Sequence, residues 1–280
     1  MSDQYLICSN LDRTLLPNGL HEESPGARRA FARLASDPRV RIVYASGRDL
    51  NMVLDSLRGY DLPRPDFIIS DVGAAIHAPS GSGWRAIAAW DDVLRWDWIE
   101  LSAMELATLF RDFADLELQE RSRQHPFKLS FYAPTITHPE ALLGRVRTRL
   151  DESGVRANMV WSIDEINDIG MLDLLPPHSD KRHALEFLMQ RISMPRDRVC
   201  YAGDGGNDLS VLCSPIPSVL VANASDWVRQ AALAQSESAG LGDALYLARG
   251  KFGMNGNYAA GVVEGVAHFL PDLEGVIRGE

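Results

Sequence analysis

The stretch Tyr5-Leu6-Ile7-Cys8-Ser9 runs directly into Asn10-Leu11-Asp12-Arg13-Thr14-Leu15-Leu16. A β-forming, mostly apolar run that ends abruptly in polar residues reads as a buried strand delivering its carboxyl end into a crevice. Asn10 and Asp12 lie two apart, so an extended chain puts them on one face, with Thr14 next along it. Such a strand needs paired neighbours on its edges and helices over both faces.

The rest of the chain supplies them in order. Ser24-Pro25 reads as an N-cap followed by proline at the first helical position, opening a helix that runs to residue 34. Residues 41–45 form a second strand ending at Ser46-Gly47-Arg48, a helix follows over 49–58, and a short strand at 67–69 leads into Ser70-Asp71-Val72-Gly73. This alternation predicts a parallel sheet covered on both faces. From residue 81 the pattern changes. Trp84, Trp90, Trp96, Trp98 and Trp161 accompany helices at 102–113 and 138–150 and strands at 116–121, 128–133, 156–162 and 171–175. Two helices among four strands suggest a small α+β layer, with the tryptophans in its core. The parallel pattern resumes with a helix at 180–192, strands at 199–202 and 219–221, and a closing helix at 259–269; residues 250–257, rich in Gly and Asn, read as a loop. The expected fold class is α/β: a doubly wound, Rossmann-like core from 1–82 and 171–280, with an α+β cap inserted at 83–170.

Composition narrows the partners. The 280 residues carry a formal net charge of -10, which argues against a nucleic-acid partner because phosphate backbones select basic surfaces. A small phosphorylated ligand needs only a local cluster of cations. Cys8, Cys200 and Cys213 have no metal-site spacing and read as thiols of a reducing compartment. No run of about 18 apolar residues is available to span a bilayer, so no membrane contact and a cytoplasmic setting are expected.

The chemistry gathers at predicted strand ends. Gly203-Asp204-Gly205-Gly206-Asn207-Asp208 puts two carboxylates and an amide on a glycine turn, a hard-oxygen arrangement suited to Mg²⁺. A plain hairpin turn would explain the glycines and leave the Asp204/Asp208 pairing unexplained. Lys181 opens a helix, where it is poorly placed for the helix dipole. Ser46-Gly47 taken alone would mark a turn, and Asp12 taken alone a cap.

Their order resembles the haloacid-dehalogenase-like phosphohydrolases, and within them the sucrose-6-phosphate phosphatases. The resemblance rests on Asn10-x-Asp12-x-Thr14, Tyr44-Ala45-Ser46-Gly47-Arg48, His125-Pro126-Phe127-Lys128-Leu129-Ser130-Phe131-Tyr132, Asp173-Leu174-Leu175-Pro176, the 203–208 turn, and Ala259-Ala260-Gly261-Val262-Val263-Glu264 with His268-Phe269. It implies a sugar-phosphate phosphatase working through an aspartyl-phosphate, with Asn10 at the nucleophile position and Asp12 as general acid and base. Phosphate would be held by Thr14, Ser46, Gly47 and Lys181. Mg²⁺ would be held by Asn10, the Asp12 carbonyl, Asp204 and Asp208, with Asn207 acting through a bound water. Lys128 would reach the sugar, and Asn167 or Asp168 less directly. Sucrose 6-phosphate is the substrate it points to first, with mannosylfructose phosphate, trehalose 6-phosphate and mannosyl-3-phosphoglycerate as alternatives. Association with a glycosyltransferase that makes the sugar phosphate would be natural.

Asn10 stands against this, because an amide cannot replace a carboxylate as nucleophile. A natural pseudoenzyme that binds sugar phosphates without cleaving them is one explanation. An Asp-to-Asn change that lets substrate survive in the site is the other, and the retention of Asp12 with Asp204 and Asp208 favours it.

Overall fold

The computed structural model describes residues 4–98, 101–134, 139–164 and 167–280. Its larger sheet has eight strands: β1 (Tyr5–Ser9), β2 (Val40–Ala45), β3 (Phe67–Ser70), β4 (Ala75–Ser80), β5 (Gly83–Ala86), β10 (Val199–Gly203), β11 (Ser218–Leu220) and β12 (Leu245–Leu247). The four between, β6 (Glu117–Leu118), β7 (Leu129–Pro134), β8 (Asn158–Asp164) and β9 (Ile169–Leu175), make a second sheet.

The order in the larger sheet is β12-β11-β10-β1-β2-β3-β4-β5, and all pairs through β3 are parallel. Strands β4 and β5 are antiparallel, which the parallel reading did not foresee. A hairpin needs no crossover helix, so it adds an edge cheaply. All five residues of β1 are buried. Chain order reverses between β1 and β10, and ligands of such sheets bind outside the strand ends at that reversal. Leu11, Phe31, Ile42, Val262 and Val266 pack one face of this sheet; Leu6, Val43, Leu185, Leu188 and Tyr201 pack the other.

The second sheet has the order β6-β7-β9-β8, all antiparallel, and packs Trp98, Phe110, Leu129, Phe131, Val146 and Leu172 into a separate core. Its limits differ from 83–170. Strand β5 and the helix Ala88–Asp97 belong with the larger sheet, where Trp90 and Leu94 are buried, while β9 carries the second sheet on to Leu175. The tryptophans therefore do not share one core, and Trp96 is exposed. Part of the helix expected at 138–150 lies outside the described residues; it is observed over Glu140–Glu152. The two connections between the sheets are clasped together: Asp97 accepts from the His178 backbone N–H and pairs with its Nδ1, both at 2.7 Å.

Candidate functional site

Strand β1 delivers Asn10 to the reversal point, and the Asn10 N–H still bonds the Ala202 carbonyl of β10 at 2.9 Å. The next turn of chain, 203–208, folds back so that Asp208 Oδ2 accepts from the N–H groups of Asp204 and Gly205 at 3.0 and 2.9 Å. Gly203 permits this approach, since a Cβ there would lie 2.6 Å from the Asp208 carboxyl carbon. Asp208 Oδ1 takes the fully buried Lys181 ammonium at 2.7 Å and the Tyr201 hydroxyl. Asp204 Oδ1 takes the Thr14 hydroxyl at 2.7 Å. Burial and the neighbouring Asp208 charge push the Asp204 carboxyl up to about 6.

Ser46 and Gly47 follow β2 beside this cluster. Ser46 is buried and its Oγ accepts from the Arg48 N–H at 3.1 Å. A Cβ on Gly47 would stand 3.6 Å from the Asn207 amide nitrogen, and Asn207 Oδ1 accepts from Lys181 at 3.2 Å. Thus Asn10, Thr14, Ser46, Gly47, Lys181, Asp204, Asn207 and Asp208 gather at the carboxyl ends of the interior strands β1, β2 and β10. Asp12 stands beside them, gripped by Arg48 through Nε–Oδ2 at 2.7 Å and Nη2–Oδ1 at 2.5 Å, with Asn18 donating at 2.7 Å. Arg48 was visible after Ser46-Gly47, but nothing local showed where its side chain would reach.

Asn10 departs from the expectation that it offers oxygen to a cation. Its Oδ1 accepts from the Leu11 N–H at 2.8 Å, and a backbone N–H can only donate, which fixes the orientation of the amide. The Nδ2 therefore faces the Asp12 carbonyl at 3.2 Å, Asp204 Oδ1 at 3.1 Å and Asp208 Oδ2 at 3.3 Å. These are the oxygens that would ligate Mg²⁺. A donor nitrogen lies at their centre, so the residues as arranged do not fit a divalent cation. Among the described residues no group of three or more His, Cys, Asp or Glu side chains is placed to hold a metal.

Lys128, just before β7, reaches out of the second sheet to Asp71 after β3, at 2.7 Å, with both side chains buried. Asp71 is tied to the phosphate-site candidates by backbone: its N–H bonds the Arg48 carbonyl at 2.9 Å, and the Val72 N–H bonds that of Ser46 at 3.1 Å. Asp71 and Val72 both have left-handed φ, 52° and 58°, a strained conformation for a β-branched residue. No local pattern around Asp71 or Lys128 marks this cross-domain pair. Asn167 and Asp168 are exposed at the turn between β8 and β9, on the order of 20 Å along the extended β9 from Leu175.

The profile of the family described as sucrose-6F-phosphate phosphohydrolase matches residues 3–270. The chain is 44% identical over 273 residues to a HAD-like hydrolase of Nitrosococcus oceani, covering 97% of this chain and 73% of that protein. It is 28% identical over 225 residues to the mannosylfructose-phosphate phosphatase of Agrobacterium fabrum, covering 80% and 85%. The crystal structure of the Synechocystis sucrose-phosphatase, in complex with sucrose and phosphate, superposes with a TM-score of 0.74 at 24% identity, covering 95% of this chain and 98% of that one, and shares its fold. Asn10 at the head of the site does not alter that membership: the chain belongs to the sucrose-6F-phosphate phosphohydrolase family, whose members are phosphatases of the HAD-like fold.

Proposed function

We propose that this chain binds a sugar phosphate, sucrose 6-phosphate first, in the site of a phosphatase whose nucleophile has been replaced by its isosteric amide. The observation that carries the reading is the convergence of Asp12, Ser46, Lys181, Asp204 and Asp208 around residue 10 at the sheet's reversal point. Lys181 and the Ser46–Gly47 turn hold the phosphate, and Lys128, seated where the cap meets the core, is assigned to the sugar. In the Asn10→Asp form, a carboxylate oxygen attacks phosphorus and the bond to the sugar oxygen breaks. Asp12 gives that oxygen its proton and later takes one from the water that hydrolyses the aspartyl-phosphate. Three carboxylates, at position 10 and at Asp204 and Asp208, then face one another with one lysine, and a Mg²⁺ held between them would supply the charge that offsets them. Three free cysteines support a reducing, cytoplasmic setting.

Asn10→Asp tests the reading. It should raise phosphate release by a factor on the order of 10⁴–10⁶, the size of loss seen when a nucleophile is removed. A panel of sucrose 6-phosphate, mannosylfructose phosphate and trehalose 6-phosphate assigns the sugar. Similarity to the Agrobacterium enzyme makes the second the leading alternative to sucrose 6-phosphate. No release from any of them would leave a sugar-phosphate sensor.

A further inference from the structure

We infer that in this chain the Asn10 amide takes the place of the divalent cation, so that the site is assembled, and holds phosphate, without metal. The inference rests on the proposed sugar-phosphate site and concerns how that site is held together.

The placement of one atom carries it. Asn10 Nδ2 lies 3.1–3.3 Å from the Asp12 carbonyl, Asp204 Oδ1 and Asp208 Oδ2. A bound Mg²⁺ would sit at 2.0–2.1 Å from its oxygens and cannot share that space with a nitrogen bearing two hydrogens. Turning the amide over to present Oδ1 would break the Leu11 N–H bond and leave that buried donor facing an NH₂ group.

The remaining carboxylate oxygens are also supplied. Asp208 Oδ1 has Lys181 and Tyr201, and Asp208 Oδ2 has two backbone N–H groups besides Asn10. Asp204 Oδ1 has Thr14, while Asp204 Oδ2 faces Arg13 Nε at 3.7 Å. Buried carboxylates with this many donors do not require a cation to persist. Position 10 therefore decides the metal requirement twice. As aspartate it adds a charge and removes two donors; as asparagine it removes the charge and adds the donors.

The test starts with the unaltered protein. Titration with MgCl₂ alone should give no saturable heat, and the thermal midpoint should not move between excess EDTA and millimolar Mg²⁺. Inorganic phosphate, and then sucrose 6-phosphate, should bind with the same affinity in both. The Asn10→Asp protein should bind Mg²⁺ saturably, gain thermal stability from it, and lose phosphate affinity by about tenfold or more in EDTA. Saturable Mg²⁺ binding or Mg²⁺-dependent phosphate affinity in the unaltered protein overturns the inference. The Mg²⁺ titration alone judges it if neither phosphate ligand binds, a result that would count against the proposed function instead. Should Asn10→Asp prove too unstable to purify, the metal response of the unaltered protein still decides.

Discussion

Arg48 and Asp12 form a two-point pair, guanidinium edge to carboxylate edge, at 2.7 and 2.5 Å. The third arm of the guanidinium donates to Ser56 Oγ at 2.7 Å, and Ser56 in turn donates to the Met52 carbonyl, so Arg48 is itself anchored. The Asp12 bond holds the guanidinium above its ordinary pKa. A fork of fixed geometry orients a carboxylate in a way that a single ammonium cannot. Arg48 is thus a positioning residue for the group assigned to proton transfer. In the Asn10→Asp background, Arg48→Lys should lower kcat by about 10–100-fold and leave KM for sucrose 6-phosphate nearly unchanged, because charge is kept and orientation lost. A loss confined to KM would place Arg48 on the substrate instead.

The Lys128–Asp71 pair joins the two domains through buried charges, side chains 6% exposed on each partner. Removing one partner of such a pair leaves the other uncompensated and costs about 3–5 kcal/mol, whereas replacing both is far milder. Lys128→Ala should therefore lower the urea midpoint strongly, and the Lys128→Met/Asp71→Asn double variant should recover most of the loss. In the Asn10→Asp background the sugar assignment adds a kinetic outcome. Lys128→Ala should cut kcat/KM for sucrose 6-phosphate by about 10–100-fold and change p-nitrophenyl phosphate hydrolysis far less. Equal losses on both substrates would make the lysine a structural strut and remove its role with the sugar.

Two histidines flank this pair. His77 Nε2 lies 3.0 Å from Ser70 Oγ, which donates to Asp71 Oδ2 at 3.0 Å. Burial pushes the pKa of both His77 and His125 down from 6.5, against the pull of Asp71. A folded-state pKa below the unfolded one means that the stability contribution is complete above about pH 6.5 and is lost as pH falls from there through the folded value. His183, raised by its bond to Asp180, changes in the opposite sense, so the comparison has to be made at one site. The thermal midpoint should fall less between about pH 7 and pH 5 in His125→Gln than in the unaltered protein. Identical slopes would show that His125 charges freely in the folded state.

What the sequence discloses and what it hides divide along range in the chain. Strand β1, the 203–208 turn and the helix opened by Lys181 are local patterns, readable because period and punctuation are properties of neighbouring residues. Their meeting at residue 10 follows from the order of strands in a doubly wound sheet. Arg48 reaching Asp12 and Lys128 reaching Asp71 are 36 and 57 residues apart in sequence and leave no periodic trace. The amide orientation of Asn10 is likewise hidden, being set by one backbone N–H. Tryptophan content announced burial without saying in which core, and so Trp90 and Trp98 part company while Trp96 faces solvent.

Gly73 is where the strained turn after β3 meets the helix that carries Lys181. Its φ is 100°, and a Cβ there would stand 2.4 Å from both the carbonyl carbon and oxygen of Asp180. Asp180 caps that helix, its carboxylate accepting from the His183 N–H at 2.8 Å. Any side chain at 73 must push the helix start away, and Lys181 with it, since backbone cannot yield as a side-chain tip can. Two costs then add, about 1–3 kcal/mol for the left-handed backbone and a similar amount for the overlap. Gly81 supplies the control. Its φ is 58°, but a Cβ there has nothing within 4 Å, so Gly81→Ala meets the backbone cost alone, about 1 kcal/mol. Gly73→Ala should lower the urea midpoint well beyond Gly81→Ala, and it alone should weaken inorganic phosphate binding through the displaced Lys181. Equal midpoints in the two variants would mean that the turn and the helix start do not touch as described.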